Sequence, residues 1–319
     1  MAEAPVRAGD ATRDLAIRCA WLYHVEGLTQ DGVARALRLS RAKVLRLLAA
    51  ARDDGLVRIA IDAPAATRAA LEARLVERFG LRAALVVAAA DDRGEIAQRV
   101  GQAAGQLVAR QLRDGASLGL GWGATLSAAA TALGAAPAHR GLSVISLLGG
   151  LTRSGPVNPA AVARRVADAL HGDCYQLTAP LVVASAATRA ALWSEAGLRD
   201  LRERARRADV ALVSCGDLAE AATLRQEGLV SRAELAGLRR AGAVGDVLCQ
   251  FVDGAGRPVD HPLNRRTIAV PLADLHGVGT LVLASGGAAK AAALAAALAA
   301  VKVDVLVTDE AAARALTGA

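Results

Sequence analysis

The chain has 319 residues, of which 54% are hydrophobic but only 2% aromatic, and its formal net charge is +7 at pH 7. This length is too great for a small helical module alone, so we expect one small domain and one larger domain with a core of Ala, Leu and Val. The positive charge favours a polyanionic partner, although by itself it argues only for nonspecific attraction.

Two features of the sequence bear on its location. No uncharged apolar run reaches the roughly 20 residues of a membrane-spanning helix. Charged residues interrupt any signal-like apolar segment near the first residue, namely Glu3, Arg7, Asp10 and Asp14. We therefore expect a cytoplasmic protein without a membrane partner.

The four cysteines lie far apart in apolar segments and show no C-x-x-C spacing. This distribution favours buried thiols over disulfides or a metal site. They are Cys19, Cys174, Cys215 and Cys249. We expect neither a metal nor a cofactor.

Residues 27–48 predict two short helices around a tight turn. Thr29 and Ser40 are N-cap residue types placed eleven positions apart. The apolar residues that follow them recur at helical spacing and can pack on the preceding segment. The residues of the two helices are Val33, Leu37, Val44, Leu47 and Leu48, and those of the preceding segment are Leu15, Cys19 and Leu22. A small three-helix core is expected.

The second of these helices is basic. From Arg35 to Arg46, both included, there are five basic residues and no acidic residue. Such a run can be a solvated helix face in an arginine-rich chain. The caps, the spacing and the charge together favour a helix-turn-helix that reads DNA bases through Arg41, Lys43 and Arg46, with Thr29, Arg38 and Ser40 as candidate phosphate contacts.

Two further elements follow this helix pair. Residues 53–55, Asp-Asp-Gly, signal a helix end, and Leu56 to Asp62 alternate like a strand, which predicts a β-wing. Ala63-Pro64 breaks the chain, and residues 65–79 predict a helix that connects the domains or contacts a second copy. The predicted domains are a winged helix-turn-helix over 1–62, a linker helix over 63–80 and an effector-binding and oligomerisation domain over 81–319.

The remainder alternates short apolar runs with helix-length segments. Predicted strands are 83–87, 117–121, 142–148, 210–214, 247–251, 280–284 and 303–307, and predicted helices are 95–112, 125–133, 159–170 and 288–301. This alternation is typical of a layered α/β fold with a largely parallel sheet. Ligands of such sheets gather at the carboxyl ends of the strands, beside helix N-termini that favour anions.

One strand-to-helix junction, residues 119–125, has the sequence Gly-Leu-Gly-Trp-Gly-Ala-Thr. Its amides and the Thr125 hydroxyl can surround a phosphate, and Gly119, Gly121 and Ala124 fit the relaxed dinucleotide pattern G-x-G-x-x-A. No acidic residue occurs between Asp114 and Asp168 to bind a ribose. The junction therefore favours an anion held by amides and cations over a nicotinamide site, and a glycine-rich turn without a ligand is the alternative.

A second junction, residues 283–290, ends in Ser-Gly-Gly-Ala-Ala-Lys. Lys290 is the only Lys or Arg between Arg266 and Lys302. A lone lysine here can extend to water, can bind oxygen atoms of a phosphorylated sugar, or can form an imine if burial depresses its pKa.

Taken together, these segments resemble the SorC/DeoR-type sugar-responsive transcriptional regulators of bacteria over nearly the whole chain. The segments that carry the resemblance are 22–23, 27–30, 39–48, 54–57, 121–125, 148–150, 243–246, 286–290 and 305–310. The resemblance implies a small N-terminal winged helix-turn-helix and a larger Rossmann-like α/β effector domain, similar to glucosamine-6-phosphate deaminase and ribose-phosphate isomerase folds but without turnover. It also implies a sugar-phosphate effector and a homo-oligomer, expected to be a tetramer.

The same resemblance implies roles for individual residues. Those predicted to bind the effector are Gly121, Gly123, Ala124, Thr125, Gly149, Arg153, Asn158, Asp246 and Lys290. Many relatives carry Ser, Thr or Arg where this chain has Ala124, and Arg153 is the predicted substitute for that donor. Asn158 as a helix-start residue and Asp246 as a turn carboxylate are the structural alternatives.

The sequence thus predicts a regulator that binds double-stranded operator DNA and whose affinity is controlled by a phosphorylated sugar. A sugar-phosphate isomerase or deaminase-like enzyme is the alternative; it leaves the DNA-binding segment unexplained and has no His near the two glycine junctions. A nucleotide-responsive redox sensor lacks the ribose-binding acid.

Overall fold

The computed structural model describes residues 8–57, 63–135, 139–153 and 155–318. The chain forms two compact units, residues 1–63 and residues 64–319. Within the described ranges, no helix is both long enough and apolar enough to cross a membrane.

The smaller unit contains α1 (Ala8–His24), α2 (Gln30–Leu37) and α3 (Arg41–Asp53). The two predicted helix starts are confirmed. Thr29 Oγ1 accepts the amide of Gly32 at 3.1 Å, and Ser40 Oγ accepts the amide of Lys43 at 3.3 Å. Helix α2 ends at Arg38, which has the left-handed φ of 55° that allows the chain to turn at once into α3.

The core of the smaller unit is the predicted one. Cys19 of α1, Val33 of α2 and Val44 of α3 are fully buried against one another. Leu56 and Val57 pack on this core. Residues 58–62 are outside the described residues, so the predicted strand of the wing falls largely there.

The larger unit is an α/β structure whose elements are numbered along the chain. Its strands are β1 (Ala83–Val87), β2 (Ser117–Leu120), β3 (Ser143–Gly150), β4 (Asp173–Pro180), β5 (Val210–Val213), β6 (Cys215–Asp217), β7 (Gly245–Val247), β8 (Gln250–Val252), β9 (Thr280–Ala284) and β10 (Val305–Asp309). Its helices are α4 (Ala63–Phe79), α5 (Arg93–Ala109), α6 (Ala124–Leu133), α7 (Pro159–Ala169), α8 (Ala186–Ser194), α9 (Ala196–Arg206), α10 (Thr223–Gln226), α11 (Arg232–Arg240), α12 (Pro262–Arg266), α13 (Ala291–Ala300) and α14 (Glu310–Thr317).

Within the described residues, seven strands form one sheet in the order β1-β10-β9-β5-β2-β3-β4. All six pairs are parallel. The predicted layered α/β fold with a parallel sheet is therefore confirmed. Because the strands run in one direction, the loops after β1, β2, β5 and β9 all emerge at the same edge of the sheet.

The prediction of a single strand over Val247–Phe251 is wrong. The segment is an antiparallel hairpin of β7 and β8, and β6 pairs with the other side of β7. The chain reverses at Leu248 and Cys249, which both have positive φ, 51° and 57°. Two consecutive residues of this kind form the tight turn that a two-residue hairpin requires, although neither is a glycine or an asparagine.

Helix α4 covers the segment predicted as a linker. Leu71 and Leu75 lie one turn apart on this helix and are buried in the core of the larger unit. The helix is thus one of the layers of that unit.

Two glycines let α5 and α6 pack unusually closely. A Cβ atom on Gly101 would lie 2.2 Å from the carbonyl oxygen of Thr125, and one on Gly105 would lie 2.5 Å from that of Ala129. The two glycines are one helical turn apart, so they form a smooth face for α6. This contact fixes where α6 begins at the carboxyl edge of the sheet.

Candidate ligand-binding site

A cavity of about 740 Å³ opens at the carboxyl edge of the parallel sheet. Its walls come from the loops after β1, β2, β5 and β9 and from the β6–β7 pair. The lining segments are 90–94, 122–125, 214–217, 221–224 and 286–290, together with Ile96, Ala97, Gln226, Asp246 and Ala311. This is the position at which ligands of open parallel sheets bind.

The start of α6 supplies amide donors to the cavity. Gly123 is the N-cap residue, has a φ of 106° and has no side chain to cap the helix. The amides of the first turn have no acceptor within the helix, and a Cβ on Gly123 would meet no atom within 4 Å. Open space beside uncapped amides and a positive helix end is suited to an anion.

The loop after β9 forms the opposite wall and carries Lys290. Gly287 has a φ of 95°, and its amide donates to Asp309 Oδ1 at 2.6 Å. A Cβ on Gly286 would lie 2.7 Å from the same oxygen, so both glycines are needed for this close approach. The loop continues into a short 3₁₀ turn over Ala288–Lys290 and then into α13. Asp309 thereby holds the loop that presents Lys290.

Asp246 is a buried carboxylate on β7 and lines the cavity. Its Oδ2 accepts the amide of Cys249 at 2.9 Å, whereas its buried Oδ1 has no hydrogen-bond partner in the described part of the chain. Burial raises the pKa of Asp246 to about 6, against the opposing effects of the Cys249 amide and the Lys290 charge. An unpaired buried carboxyl oxygen costs free energy, and a ligand hydroxyl can supply the missing hydrogen bond.

Cys215 also lines the cavity and carries a buried thiol. Burial raises its pKa to about 11, so at neutral pH it is protonated and is not a nucleophile.

Arg93 and Asp217 form an ion pair at the cavity that the sequence analysis missed. Arg93 is the first residue of α5, whose N-cap Asp92 accepts the amide of Glu95 at 3.0 Å. Asp217 ends β6, and its Oδ1 accepts the amide of Ala219 at 3.3 Å. The two partners are 124 positions apart in the chain, so no local pattern reveals the pair.

The structure brings five of the predicted effector residues to the cavity, namely Gly123, Ala124, Thr125, Asp246 and Lys290. Four others are outside its lining. Gly121 directly follows β2, and its amide donates to Leu212 O at 2.9 Å. Gly149 of β3 has its Cα against β4, and a Cβ there would lie 2.6 Å from Ala179 O.

Arg153 and Asn158 are the other two. Arg153 is 79% exposed and lies 3.8 Å from the Glu227 carboxylate. Asn158 caps α7, where its Oδ1 accepts the amide of Ala160 and its Nδ2 donates to two backbone carbonyls at 2.8 and 2.9 Å. The effector contacts of these four residues stay predictions, and the structure gives each of them another contact.

Of the candidate DNA-binding residues, Thr29 and Arg38 cap the two ends of α2, Ser40 caps the start of α3, and the other three lie on α3. Arg41, Lys43 and Arg46 are exposed, while Val44 and Leu47 on the opposite side of the helix are buried. Arg41 lies 3.8 Å from the carboxylate of Asp31, a weak surface pair. The first two turns of α3 therefore present three cations to solvent.

The fold and the site define an α/β ligand-binding unit preceded in the chain by a three-helix unit with an exposed basic helix. The family described as "Putative sugar-binding domain" matches residues 63–317. The chain belongs to this family of sugar-binding domains.

Similarity to individual proteins extends beyond that domain. The erythritol catabolism regulatory protein EryD of Brucella abortus is 32% identical over 97% of this chain and 98% of its own length. The transcriptional regulator LsrR of Klebsiella pneumoniae is 34% identical over 96% of this chain and 93% of its own length. The predicted resemblance to SorC/DeoR-type regulators is confirmed.

A solved structure also spans both units. The full-length sorbitol operon regulator SorC of Klebsiella pneumoniae matches with a TM-score of 0.70 and 24% identity, covering 97% of this chain and 99% of that chain. At this identity the match shows a shared fold and no more.

Proposed function

We propose that this chain is a transcriptional regulator that binds operator DNA through its N-terminal unit and responds to a phosphorylated sugar bound in the larger unit. The names of the relatives, regulators of erythritol catabolism and of transcription, support the first part. The predicted limits of the DNA-binding and effector domains, 1–62 and 81–319, are kept as part of this proposal, and the predicted linker helix over 63–80 is one that packs on the larger unit.

The observation that carries the effector assignment is the chemistry around the cavity. Uncapped amides at the start of α6 suit a phosphate. Lys290 and the unpaired Oδ1 of Asp246 suit sugar oxygens and hydroxyls. A ligand with one anionic end and several hydroxyl groups satisfies both parts of the lining.

The DNA assignment rests on α3. Exposed cations near the start of a helix whose other face is buried are the arrangement of a recognition helix. In this proposal Arg41, Lys43 and Arg46 contact base edges, and Thr29, Arg38 and Ser40 contact phosphates. The two hydroxyls already accept helix amides, but each can still donate its own proton to a phosphate oxygen.

Control of DNA binding requires coupling between the two sites. An effector changes operator affinity only if it favours one arrangement of the protein over another, and the coupling free energy is the same in both directions. We propose that the protein is a cytoplasmic homotetramer and that effector binding changes the arrangement of its subunits. Exposed apolar side chains four positions apart on or just after α1, Ile17, Trp21 and Val25, supply a surface for contact between copies.

The relatives' names favour regulation over the isomerase or deaminase alternative. Lys290 and Asp246 are the residues that such an enzyme would use for proton transfer or imine chemistry. Among the described residues that line the cavity there is no histidine to serve as a general base.

DNA binding to the region upstream of the chain's own gene tests the proposal. Arg46→Ala should weaken binding to the operator by roughly 10- to 100-fold, as expected for the loss of a base contact, and should weaken binding to random DNA much less. Arg52→Ala, in the last turn of α3, is the matched control. Equal losses on both DNAs would refute the base-reading role, and a panel of sugar phosphates that gives no thermal stabilisation would refute the effector assignment.

A further inference from the structure

Two cationic side chains line the cavity within the described residues, Lys290 and Arg93. Arg93 is ion-paired with Asp217 across the cavity wall, from the start of α5 to the end of β6. The pair is unequal in exposure: the Arg93 side chain is 44% exposed and the Asp217 side chain is 10% exposed. Asp217 is also held by the Ala219 amide. The carboxylate is therefore fixed, and the guanidinium, on its long flexible stem, is the partner able to move.

Where α6 begins, the backbone amides have little help from side-chain donors. Ala124 has no polar side chain, and Thr125 is the residue beside it that has a hydroxyl. The lining also carries four aspartates, Asp91, Asp92, Asp217 and Asp246, whose carboxylates oppose an anion. A phosphate in this cavity thus needs a further cation, and a guanidinium matches phosphate geometry with two parallel hydrogen bonds.

We infer that Arg93 binds the anionic group of the effector and that Asp217 is its internal competitor, so that effector binding transfers the guanidinium from Asp217 to the phosphate. This inference rests on the proposed function, because it assumes a phosphorylated effector. The exchange removes the ion pair that joins the start of α5 to β6. It therefore supplies a difference in contacts between the ligand-free and ligand-bound states, which a regulator requires.

The exchange predicts effects of opposite sign for the two partners. Arg93→Gln removes a charge-assisted contact and should raise the dissociation constant for inorganic phosphate by roughly 10- to 100-fold. Asp217→Asn frees the guanidinium and should lower that constant by about tenfold. In the double variant the benefit of Asp217→Asn should disappear, because Arg93 is the group that it releases. Arg93→Lys, which keeps the charge but loses the planar fork, should lie between wild type and Arg93→Gln.

The experiment uses the full chain and inorganic phosphate, with sodium chloride holding the ionic strength constant. Dissociation constants come from the rise of melting temperature with phosphate concentration. The matched controls are Arg164→Gln and Asp168→Asn, which break an exposed Arg–Asp pair on α7 away from the cavity lining. Neither control should change phosphate affinity. Melting without phosphate verifies that each variant is folded.

Three results would overturn the inference. Weaker phosphate binding by Asp217→Asn would mean that the pair is structural or that Asp217 itself holds the ligand. An equal gain in phosphate affinity from Asp217→Asn in the wild type and in Arg93→Gln would mean that Asp217 acts only by repelling the anion. No stabilisation of the wild type by phosphate would remove the anion subsite.

Operator binding by the wild type, measured both with and without phosphate, separates this inference from the proposed function. If the expected pattern of phosphate affinities is found but operator DNA is not bound, the regulator proposal fails while the exchange stands. If operator DNA is bound but the pattern is absent, the exchange alone fails.

Discussion

The close approach of α5 and α6 makes Gly101→Ala a sharp test of how the cavity is built. The added methyl group would lie 2.2 Å from Thr125 O and 2.7 Å from Ala128 Cβ, whereas ordinary contacts begin near 3.4 Å. The carbonyl belongs to the helix backbone and cannot rotate away, so the helices must separate by about 1 Å. Overpacking of this kind costs about 1–3 kcal/mol.

Part of that cost is offset, because alanine is favoured over glycine within a helix by about 1 kcal/mol. We expect a net loss of up to about 2 kcal/mol in the free energy of unfolding, measured by urea denaturation. The control is Gly197→Ala on α9, where a Cβ would meet no atom within 4 Å, and which should stabilise the chain by roughly 0.4–1 kcal/mol.

A second readout of Gly101→Ala is phosphate affinity. Thr125 belongs to the first turn of α6, so a displaced helix moves the amides that face the cavity, and we expect weaker phosphate binding than in wild type or in Gly197→Ala. If Gly101→Ala is as stable as Gly197→Ala and binds phosphate normally, the reasoning that α5 positions the start of α6 is refuted.

Three further predictions concern single residues. Arg38 has a φ of 55°, and this backbone conformation costs a non-glycine residue about 1–2 kcal/mol. Arg38→Gly should therefore raise the melting temperature of the N-terminal unit, although it removes a cation that attracts DNA. A lower melting temperature would contradict this. Burial raises the pKa of Asp246 from 3.8 to about 6, so its contribution to stability is present below pH 4 and is lost as the pH rises through 6. The free energy of unfolding of the wild type, relative to that of Asp246→Asn, should therefore fall by roughly 3 kcal/mol between pH 4 and pH 7, and a difference that does not change with pH would refute the assignment. Asn158→Ala removes three hydrogen bonds at the start of α7 and should lower the free energy of unfolding by about 1–2 kcal/mol without changing phosphate affinity; weaker phosphate binding at unchanged stability would instead make Asn158 a ligand residue.

Most of the sheet was predictable because its central strands are continuous apolar runs between glycines and helices. The central strand at residues 280–284 has the predicted limits, and so does the apolar edge strand at residues 83–87. Strand β4, with the sequence Asp-Cys-Tyr-Gln-Leu-Thr-Ala-Pro, was missed because polar residues, some of them exposed, interrupt its apolar residues, whereas the other edge strand, β1, is a continuous apolar run. The β7–β8 turn was missed because Leu248 and Cys249 are not turn-forming residue types. Tertiary packing, and not local preference, sets their conformation.

The site was predictable where its residues directly follow strands. Gly123, Thr125 and Lys290 were found in this way, because strand ends converge at one edge of a parallel sheet. The pairing of Arg93 with Asp217 depends on a long-range contact between β6 and α5, which no spacing rule describes. From the sequence alone, Asp92-Arg93-Gly94 predicts a helix start and gives no indication that Arg93 reaches Asp217.

The carboxylate of Asp309 links two parts of the larger unit. Its Oδ1 accepts both the Gly287 amide at 2.6 Å and the Ala312 amide at 3.4 Å. Helix α14 and the segment that carries Lys290 are thus tied to one oxygen atom. A fluorescent reporter fused at α14 would therefore be linked, through Asp309, to the segment proposed to contact the effector. A fusion that unwinds α14 would remove this link and weaken the fluorescence change on effector binding.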